Sequence, residues 1–239
     1  MLQTGHVVIS RRTLLLAAAA SALAACSSRK DITASSVGGV SSVPTTETSG
    51  GVLPVSKEKK VPKSVSMVGD SITARSQPAL EAVLHDIGFQ HIDINAEPSR
   101  RIEIGGKKPM PGLDVVKYIA AKSPPEMWII ALGTNDAGLY DNDSGYQKLV
   151  DDMLAAIPSK APLVWINTYR NDHIDGCVQF NDVLDKTLAD RGNATVGEWY
   201  QQCLKPDQKI LSKDGVHPND DGVLVFADTV RRAVLQQLD

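Results

Sequence analysis

The stretch "SVSMVGDSITARS", residues 64–76, joins a short apolar segment to a polar one across Gly69. Residues 65–68 are mostly apolar and β-prone, which predicts a buried strand. Asp70 and Ser71 follow this strand at once. Because ligand sites of open α/β sheets lie at the carboxyl ends of the strands, the junction predicts a functional site. The alternative is that Ser71 only caps a following helix.

Strand-like and helix-like segments alternate along the rest of the chain. Strands are predicted at 65–68, 90–96, 127–132, 162–168 and 194–198, and helices at 78–87, 111–121, 145–157, 176–191 and 221–238. The continuous apolar run "MWIIAL", residues 127–132, is typical of a parallel strand buried on both faces. This order predicts an α/β fold, a three-layer α/β/α sandwich around a parallel sheet.

Residues 1–26 have the features of an export signal. Arg11 and Arg12 precede an uncharged apolar run at 14–25, which is too short to span a bilayer. "SRRTLL" resembles a twin-arginine signal, and the Sec route stays open. The run ends in "LAAC", which resembles a bacterial lipobox and predicts that Cys26 carries lipid. The alternative is an ordinary cleavage site with an incidental Cys26.

The lipobox predicts a chain anchored in the membrane by lipid, at the outer face of the cytoplasmic membrane. Residues 27–62 are rich in Ser, Thr, Gly, Val and Pro and contain no aromatic residue, which predicts a flexible tether. Residues 63–239 are long enough for a single domain with a substantial core. The formal net charge of −3 argues against a nucleic-acid partner, and we expect a monomer.

Two cysteines, Cys177 and Cys203, lie in the predicted domain. An even number of cysteines in an exported protein favours a disulfide between them, and two free thiols are the alternative. Neither cysteine has a histidine at metal-ligand spacing, so we expect no metal site.

Three short motifs follow predicted strands or precede the last helix. They are "GDS" at 69–71, "LGTND" at 132–136 and "DGVHP" at 214–218. The first two meet at the carboxyl edge of a parallel sheet, and the third joins them if the last helix packs back against that edge. Each motif alone has a simpler explanation, as a helix cap, a turn or a loop. Together they indicate one site.

The residue types in this site are those of acyl transfer. Ser71 supplies a nucleophile, His217 a base that accepts its proton, and Asp214 a carboxylate that orients the imidazole. The oxyanion that forms during attack needs hydrogen-bond donors, and the Ser71 backbone N–H and the Asn135 side-chain amide are candidates. Gly133 permits a close approach of the chain beside them.

These motifs resemble the blocks of the SGNH hydrolases, also called the GDSL esterase family. "VGDS" resembles the first block, "LGTND" the third and "DGVH" the last. The resemblance implies a flavodoxin-like α/β/α fold, no cofactor, and hydrolysis or transfer of acyl groups. It implies the same roles for Ser71, His217 and Asp214, with Asn135 as side-chain oxyanion donor.

The second block departs from the family pattern. The family usually has a glycine whose backbone N–H completes the oxyanion hole, whereas this chain reads "AEPSRRI" at 96–102. Ser99 stands at the place of the glycine, and the backbone N–H of Ser99 or Arg100 is the candidate donor. Gly105 and Gly106 are a second choice. We also expect Arg100, Gly133 and Asp70 to contact substrate.

The whole pattern is most similar to SGNH domains of envelope polysaccharide O-acylation systems. The leading hypothesis is an extracytoplasmic serine esterase that removes small O-acyl groups from cell-envelope carbohydrate. The alternatives are an O-acyltransferase with the same residues and a catalytically silent glycan-binding lipoprotein. A lipase is a weaker hypothesis, because aromatic residues make up only 5% of the chain and no long apolar lid-like insertion is present. The basic loop of Arg100, Arg101, Lys107 and Lys108 is either a solvated loop or a contact to an acidic acyl group or anionic glycan.

Overall fold

The computed structural model of the chain describes residues 60–207 and 209–239. The predicted export signal, Cys26 and the predicted tether before residue 60 lie outside the described residues. Within the described part, Val61 already packs against the hydrophobic core. The Lys63 carbonyl accepts hydrogen bonds from the backbone N–H groups of Gln90 and His91. In this part of the chain no helix is long and apolar enough to cross a membrane.

The secondary structure alternates as the sequence predicts. The strands are β1 Ser64–Gly69, β2 His91–Ala96, β3 Met127–Ala131, β4 Leu163–Ile166 and β5 Ala194–Gly197. The helices are α1 Ser71–Ile87, α2 Gly112–Lys122, α3 Asp143–Ala156, α4 Ile174–Arg191, α5 Trp199–Cys203 and α6 Asp220–Gln237, with a 3-10 turn at Asn171–His173.

The five strands form one sheet in the order β2-β1-β3-β4-β5, and every neighbouring pair is parallel. Alternate residues of the central strand β3 face opposite layers: Trp128 and Ile130 pack with α2, α3 and α4, whereas Met127 and Ile129 pack with α1 and α6. Helices therefore cover both faces of the sheet. The predicted three-layer α/β/α sandwich is confirmed.

Helix α1 begins seven residues earlier than its apolar spacing suggests. The spacing and Pro78 predict a start at residue 78, but the helix starts at Ser71 and contains Pro78 in its interior. The Asp70 side chain sets this start, because its Oδ1 accepts the Ile72 N–H at 2.9 Å. The consequence is that Ser71 is the first residue of a helix that leaves directly from the end of β1.

The predicted disulfide between Cys177 and Cys203 is wrong, because both cysteines are free. Cys177 is fully buried in α4, with Sγ 3.9 Å from the Arg170 carbonyl oxygen. Cys203 packs against the core beneath α1 and α6. Burial raises the pKa of both thiols, that of Cys177 to about 11, so each stays a neutral thiol inside the packing.

Candidate active site

The candidate site lies at the carboxyl edge of the sheet, where the three sequence motifs meet. Ser71 follows β1, and Asn135 lies in the turn that follows β3. The Asp214–His217 loop precedes α6, which packs against α1. The fold thus brings together residues from three segments that are far apart along the chain.

Ser71 and His217 are in direct contact. The Ser71 Oγ lies 2.8 Å from the Nε2 atom of His217, and both side chains are partly exposed. The other ring nitrogen, Nδ1, lies 2.8 Å from Oδ2 of Asp214. A carboxylate only accepts hydrogen bonds, so Nδ1 carries the proton and Nε2 is left to accept the proton of the serine hydroxyl. The arrangement is that of a nucleophile, a base and an orienting acid.

Asp214 is held as a carboxylate by the loop around it. Its Oδ1 accepts the backbone N–H groups of Val216 and His217, each at 3.0 Å. These bonds and the contact with the His217 ring lower the pKa of Asp214 to about 2, with the Val216 N–H as the largest cause. The side chain is half exposed, so hydrogen bonds and not burial define its ionisation.

The Asp214–His217 loop is fixed against the loop after β4. The Asn171 N–H donates to the Gly215 carbonyl at 3.1 Å, and the Ser212 N–H donates to the His217 carbonyl at 2.8 Å. Gly215 has φ of +69°, and a Cβ there would lie 2.7 Å from the Cβ of Asn171. A side chain at Gly215 would therefore push the base loop away from its support.

Three hydrogen-bond donors are candidates for an oxyanion hole. The Asn135 amide donates to the Arg100 carbonyl at 3.1 Å and, over a longer 3.3 Å, to Oδ2 of Asp70. Among the described residues, neither the Ser71 nor the Ser99 backbone N–H has a hydrogen-bond partner. The Arg100 N–H, by contrast, donates to the Glu97 carbonyl at 3.4 Å, so it would have to give up that bond to act as the predicted oxyanion donor.

Ser99 adopts the backbone conformation that a glycine would favour. Its φ is +60°, in the left-handed region, and it is the only non-glycine with positive φ among the described residues. Such a conformation costs a residue with a side chain about 1–2 kcal/mol. The loop after β2 therefore keeps the glycine-like turn of the second block without the glycine.

Arg100 is not placed to contact substrate, contrary to the prediction. Its side chain is 1% exposed and makes four hydrogen bonds. The acceptors are the carbonyls of Gly69 at 3.0 Å, Asn95 at 2.6 Å and Met110 at 3.1 Å, together with Asn95 Oδ1 at 2.9 Å. The guanidinium joins the ends of β1 and β2 to the loop between β2 and α2, and so supports the turn at Ser99.

The prediction of substrate contact is also wrong for Asp70 and Gly133. Asp70 is 1% exposed, with one oxygen capping α1 and the other near the Asn135 amide. Gly133 is buried with φ of +127°, and a Cβ there would lie 2.5 Å from the ring of Phe180. Both residues are buried beneath the site and support its backbone.

Two buried acids underlie the site. Burial raises the pKa of Asp70 to about 6, although the hydrogen bond from the Ile72 N–H acts in the opposite direction. Burial likewise raises the pKa of Asp136 to about 7, although its carboxylate accepts the Ile102 N–H at 3.2 Å. Asp136 connects the loop after β2 to the turn after β3. Among the described residues, no group of three or more His, Cys, Asp or Glu side chains could hold a metal ion.

Sequence reasoning gave no structural role to the polar residues that hold the loop after β4. Asn181 accepts the Thr168 N–H and donates to the Thr168 carbonyl, both at 2.9 Å. The Thr168 hydroxyl donates to that of Thr134 at 2.7 Å, which ties the loops after β3 and β4 together. Arg170 adds a bond to the Thr134 carbonyl at 3.3 Å. The polar run "INTYRN", directly after an apolar strand, was the available signal.

No protein-family model and no curated protein sequence matches the chain. Solved structures do match it. A lipase/acylhydrolase from Enterococcus faecalis is 18% identical, with a TM-score of 0.61 over 74% of this chain and 97% of that one. The C-terminal catalytic domain of peptidoglycan O-acetyltransferase A (OatA) from Streptococcus pneumoniae is 20% identical, with a TM-score of 0.57 over 74% and 96%.

A third similar structure is Est24, a carbohydrate acetylesterase from Sinorhizobium meliloti. It is 18% identical, with a TM-score of 0.54 over 73% of this chain and 99% of that one. The chain covers nearly the full length of all three structures. The fold is therefore that of the SGNH/GDSL lipase-acylhydrolases, as the resemblance of the sequence blocks implies.

Proposed function

We propose that the protein is a serine esterase that removes small O-acyl groups from cell-envelope carbohydrate. The observation that carries this proposal is the continuous contact from Asp214 through His217 to Ser71, with 2.8 Å at each step. The fold adds support, since ester-acting enzymes share it.

The reaction begins when the Ser71 Oγ attacks the ester carbonyl carbon. The hydroxyl proton passes to Nε2 of His217, and the Asp214 carboxylate stabilises the imidazolium that forms. As the tetrahedral intermediate collapses, the bond to the sugar oxygen breaks and that oxygen takes the proton from His217. Water then attacks the acyl-enzyme and gives its proton to His217, which returns it to Ser71 as the acid leaves.

The negative oxygen of the tetrahedral intermediate needs donors on the side opposite His217. The Ser71 and Ser99 backbone N–H groups are free to donate, and the Asn135 amide can replace its long 3.3 Å contact with Asp70 by a bond to the oxyanion. The two backbone donors are held by the fold, and donors of this kind stabilise the transition state because they need no reorganisation during the reaction.

The substrate class and the location rest on sequence and neighbours. A carbohydrate acetylesterase and a peptidoglycan O-acetyltransferase domain share the fold, which favours a short acyl group on a sugar. We propose export of the chain and lipid attachment at Cys26, supported by Arg11, Arg12 and the "LAAC" sequence.

An O-acyltransferase is the second candidate, and the similarity to the OatA catalytic domain favours it. The first half of the reaction is the same. A sugar hydroxyl then replaces water as the acceptor of the acyl group from Ser71.

The test compares the full chain with Ser71→Ala on p-nitrophenyl esters from acetate to palmitate. The matched control is Ser123→Ala. Ser123 is an exposed serine that directly follows α2 and precedes β3, so it lies on the side of the sheet opposite to the edge that carries Ser71. Short-chain hydrolysis that is lost only in Ser71→Ala supports the esterase. Labelling of Ser71 by a serine-directed phosphonate without ester hydrolysis supports the transferase. Neither hydrolysis nor labelling contradicts both and favours a silent glycan-binding protein.

A further inference from the structure

Arg101 lies beside Asn135, a residue of the candidate oxyanion hole, and is held there by one hydrogen bond. Its Nε donates to the backbone carbonyl of Asn135 at 2.9 Å. The side chain is partly exposed, unlike that of Arg100, its buried neighbour in the sequence. The guanidinium is thus fixed next to the residue whose amide would bind the oxyanion.

The outer donors of this guanidinium are unused. Among the described residues, neither terminal nitrogen of Arg101 has a hydrogen-bond or ion-pair partner. The other two arginines near the carboxyl edge of the sheet already have hydrogen-bond partners. Arg100 uses all three of its nitrogens on backbone and side-chain oxygens, and Arg170 makes a two-point contact of 2.7 Å and 2.7 Å with Asp172.

The surroundings of Arg101 do not cancel its charge at the surface. The Arg101 charge interacts with the carboxyl group of Asp136. Asp136 is buried, and burial raises its pKa to about 7, so this carboxyl group is partly protonated at neutral pH. Glu103, two residues along the loop, is paired with Lys148 at 2.7 Å. Lys107 and Lys108 on the same loop are exposed.

We propose that Arg101 is a specificity-determining residue that binds an anionic group of the substrate, a carboxylate or a phosphate, next to the ester that reacts. The two free terminal nitrogens of a guanidinium present parallel N–H donors, which fit such an anion at two points. The anion belongs either to the acyl group or to the glycan. This proposal rests on the proposed function, because it places the anion beside the Ser71 acyl-enzyme.

The kinetic test uses the full chain and three chromogenic esters. They are p-nitrophenyl acetate, which is neutral; p-nitrophenyl hemisuccinate, with the charge in the acyl group; and the acetate ester of a carboxylated nitrophenol, with the charge in the leaving group. The variants are Arg101→Gln and, as a control of equal charge on the same loop, Lys108→Gln. Lys108 has no hydrogen bond to the site.

We expect Arg101→Gln to lower kcat/KM for one charged ester about 10-fold more than for the neutral ester, mainly through KM. Lys108→Gln should leave that ratio within about 2-fold, because an exposed charge without a contact is screened. The charged ester that is affected identifies the source of the anion. Equal losses on all three esters in Arg101→Gln would overturn the proposal and leave Arg101 as a support for Asn135.

A binding measurement tests anion recognition by Arg101 independently of esterase activity. Succinate and inorganic phosphate are titrated into the full chain and into both variants, and the affinity is followed by NMR. The expected result is a Kd that rises about 10-fold in Arg101→Gln and is unchanged in Lys108→Gln. Unchanged affinity in both variants, or no binding to the unaltered chain, overturns the proposal whether or not any ester is hydrolysed.

Discussion

The substitution Asp70→Asn should make the protein more stable at neutral and alkaline pH. Asp70 is fully buried, and burial raises its pKa from 3.8 to about 6. The folded protein therefore holds a proton on Asp70 that the unfolded chain releases between those two values. Stability falls as the pH rises through this window, because the folded state must then ionise a carboxyl group in the interior.

The magnitude follows from the two pKa values. A difference from 3.8 to about 6 corresponds to about 3 kcal/mol of unfolding free energy, at about 1.4 kcal/mol per pH unit. About 2 kcal/mol of this unfolding free energy is lost as the pH rises from about 4.5 to 8. Asparagine is nearly isosteric and caps helices as well as aspartate does, so Oδ1 can still accept the Ile72 N–H. The variant also loses the Asp70 oxygen that accepts a hydrogen bond from the Asn135 amide. This loss changes the unfolding free energy by an amount that is the same at every pH.

The assay is urea unfolding of the full chain and the Asp70→Asn variant at about pH 4.5, 6 and 8. The quantity that matters is the change in the stability difference between the two proteins across this range, because constant offsets cancel. Asp190→Asn is the control, since Asp190 is exposed on α4. The reasoning is refuted if the stability difference for Asp70→Asn is the same at all three pH values, or if Asp190→Asn shows the same trend.

Two further predictions concern the oxyanion donors. Asn135→Ala should lower kcat/KM for p-nitrophenyl acetate about 10²–10³-fold with little change in KM, as loss of one donor does; a loss under about 3-fold would show that its amide only holds the Arg100 carbonyl. Ser99→Gly should raise the unfolding free energy by up to about 1 kcal/mol, because relief of the φ of +60° exceeds the entropy that glycine adds to the unfolded chain. Lower stability of this variant in urea unfolding would contradict that account.

The sheet and the position of the site could be predicted because their signals are local. Apolar runs such as residues 127–132 specify buried strands, and the three motifs lie where those strands end. Parallel pairing then determines that the ends meet at one edge. The proximity of Ser71 and His217 follows from this topology once α6 packs on α1.

The start of α1 and the state of the cysteines could not be predicted in the same way. The start is marked by a hydrogen bond from the Ile72 N–H to Asp70, and the helix continues through Pro78 because residues on both sides of the proline are buried against the core. An even count of cysteines in a chain predicted to be exported favours a disulfide, yet pairing needs two side chains that point at each other. Cys177 instead directs its sulfur to the Arg170 carbonyl.

The roles of Arg100 and Arg101 could not be separated from the sequence, since both are arginines in the same loop. Their difference comes from the backbone at Ser99, whose left-handed conformation sends Arg100 into the interior. Arg101 then falls on the open side, against the Asn135 carbonyl.

The second block also bears on the choice between an enzyme and a silent binding protein. A glycine missing at Ser99 favours a silent protein, because it puts one oxyanion donor in question, but the glycine-like φ of +60° is present. Four hydrogen bonds from the Arg100 guanidinium hold the loop, and bonds from a charged donor contribute about 1.5–3 kcal/mol each. That is enough to offset both the strain at Ser99 and part of the cost of burying the charge. The Ser99 N–H is thereby kept free for an oxyanion, which favours the esterase and the transferase over the silent protein.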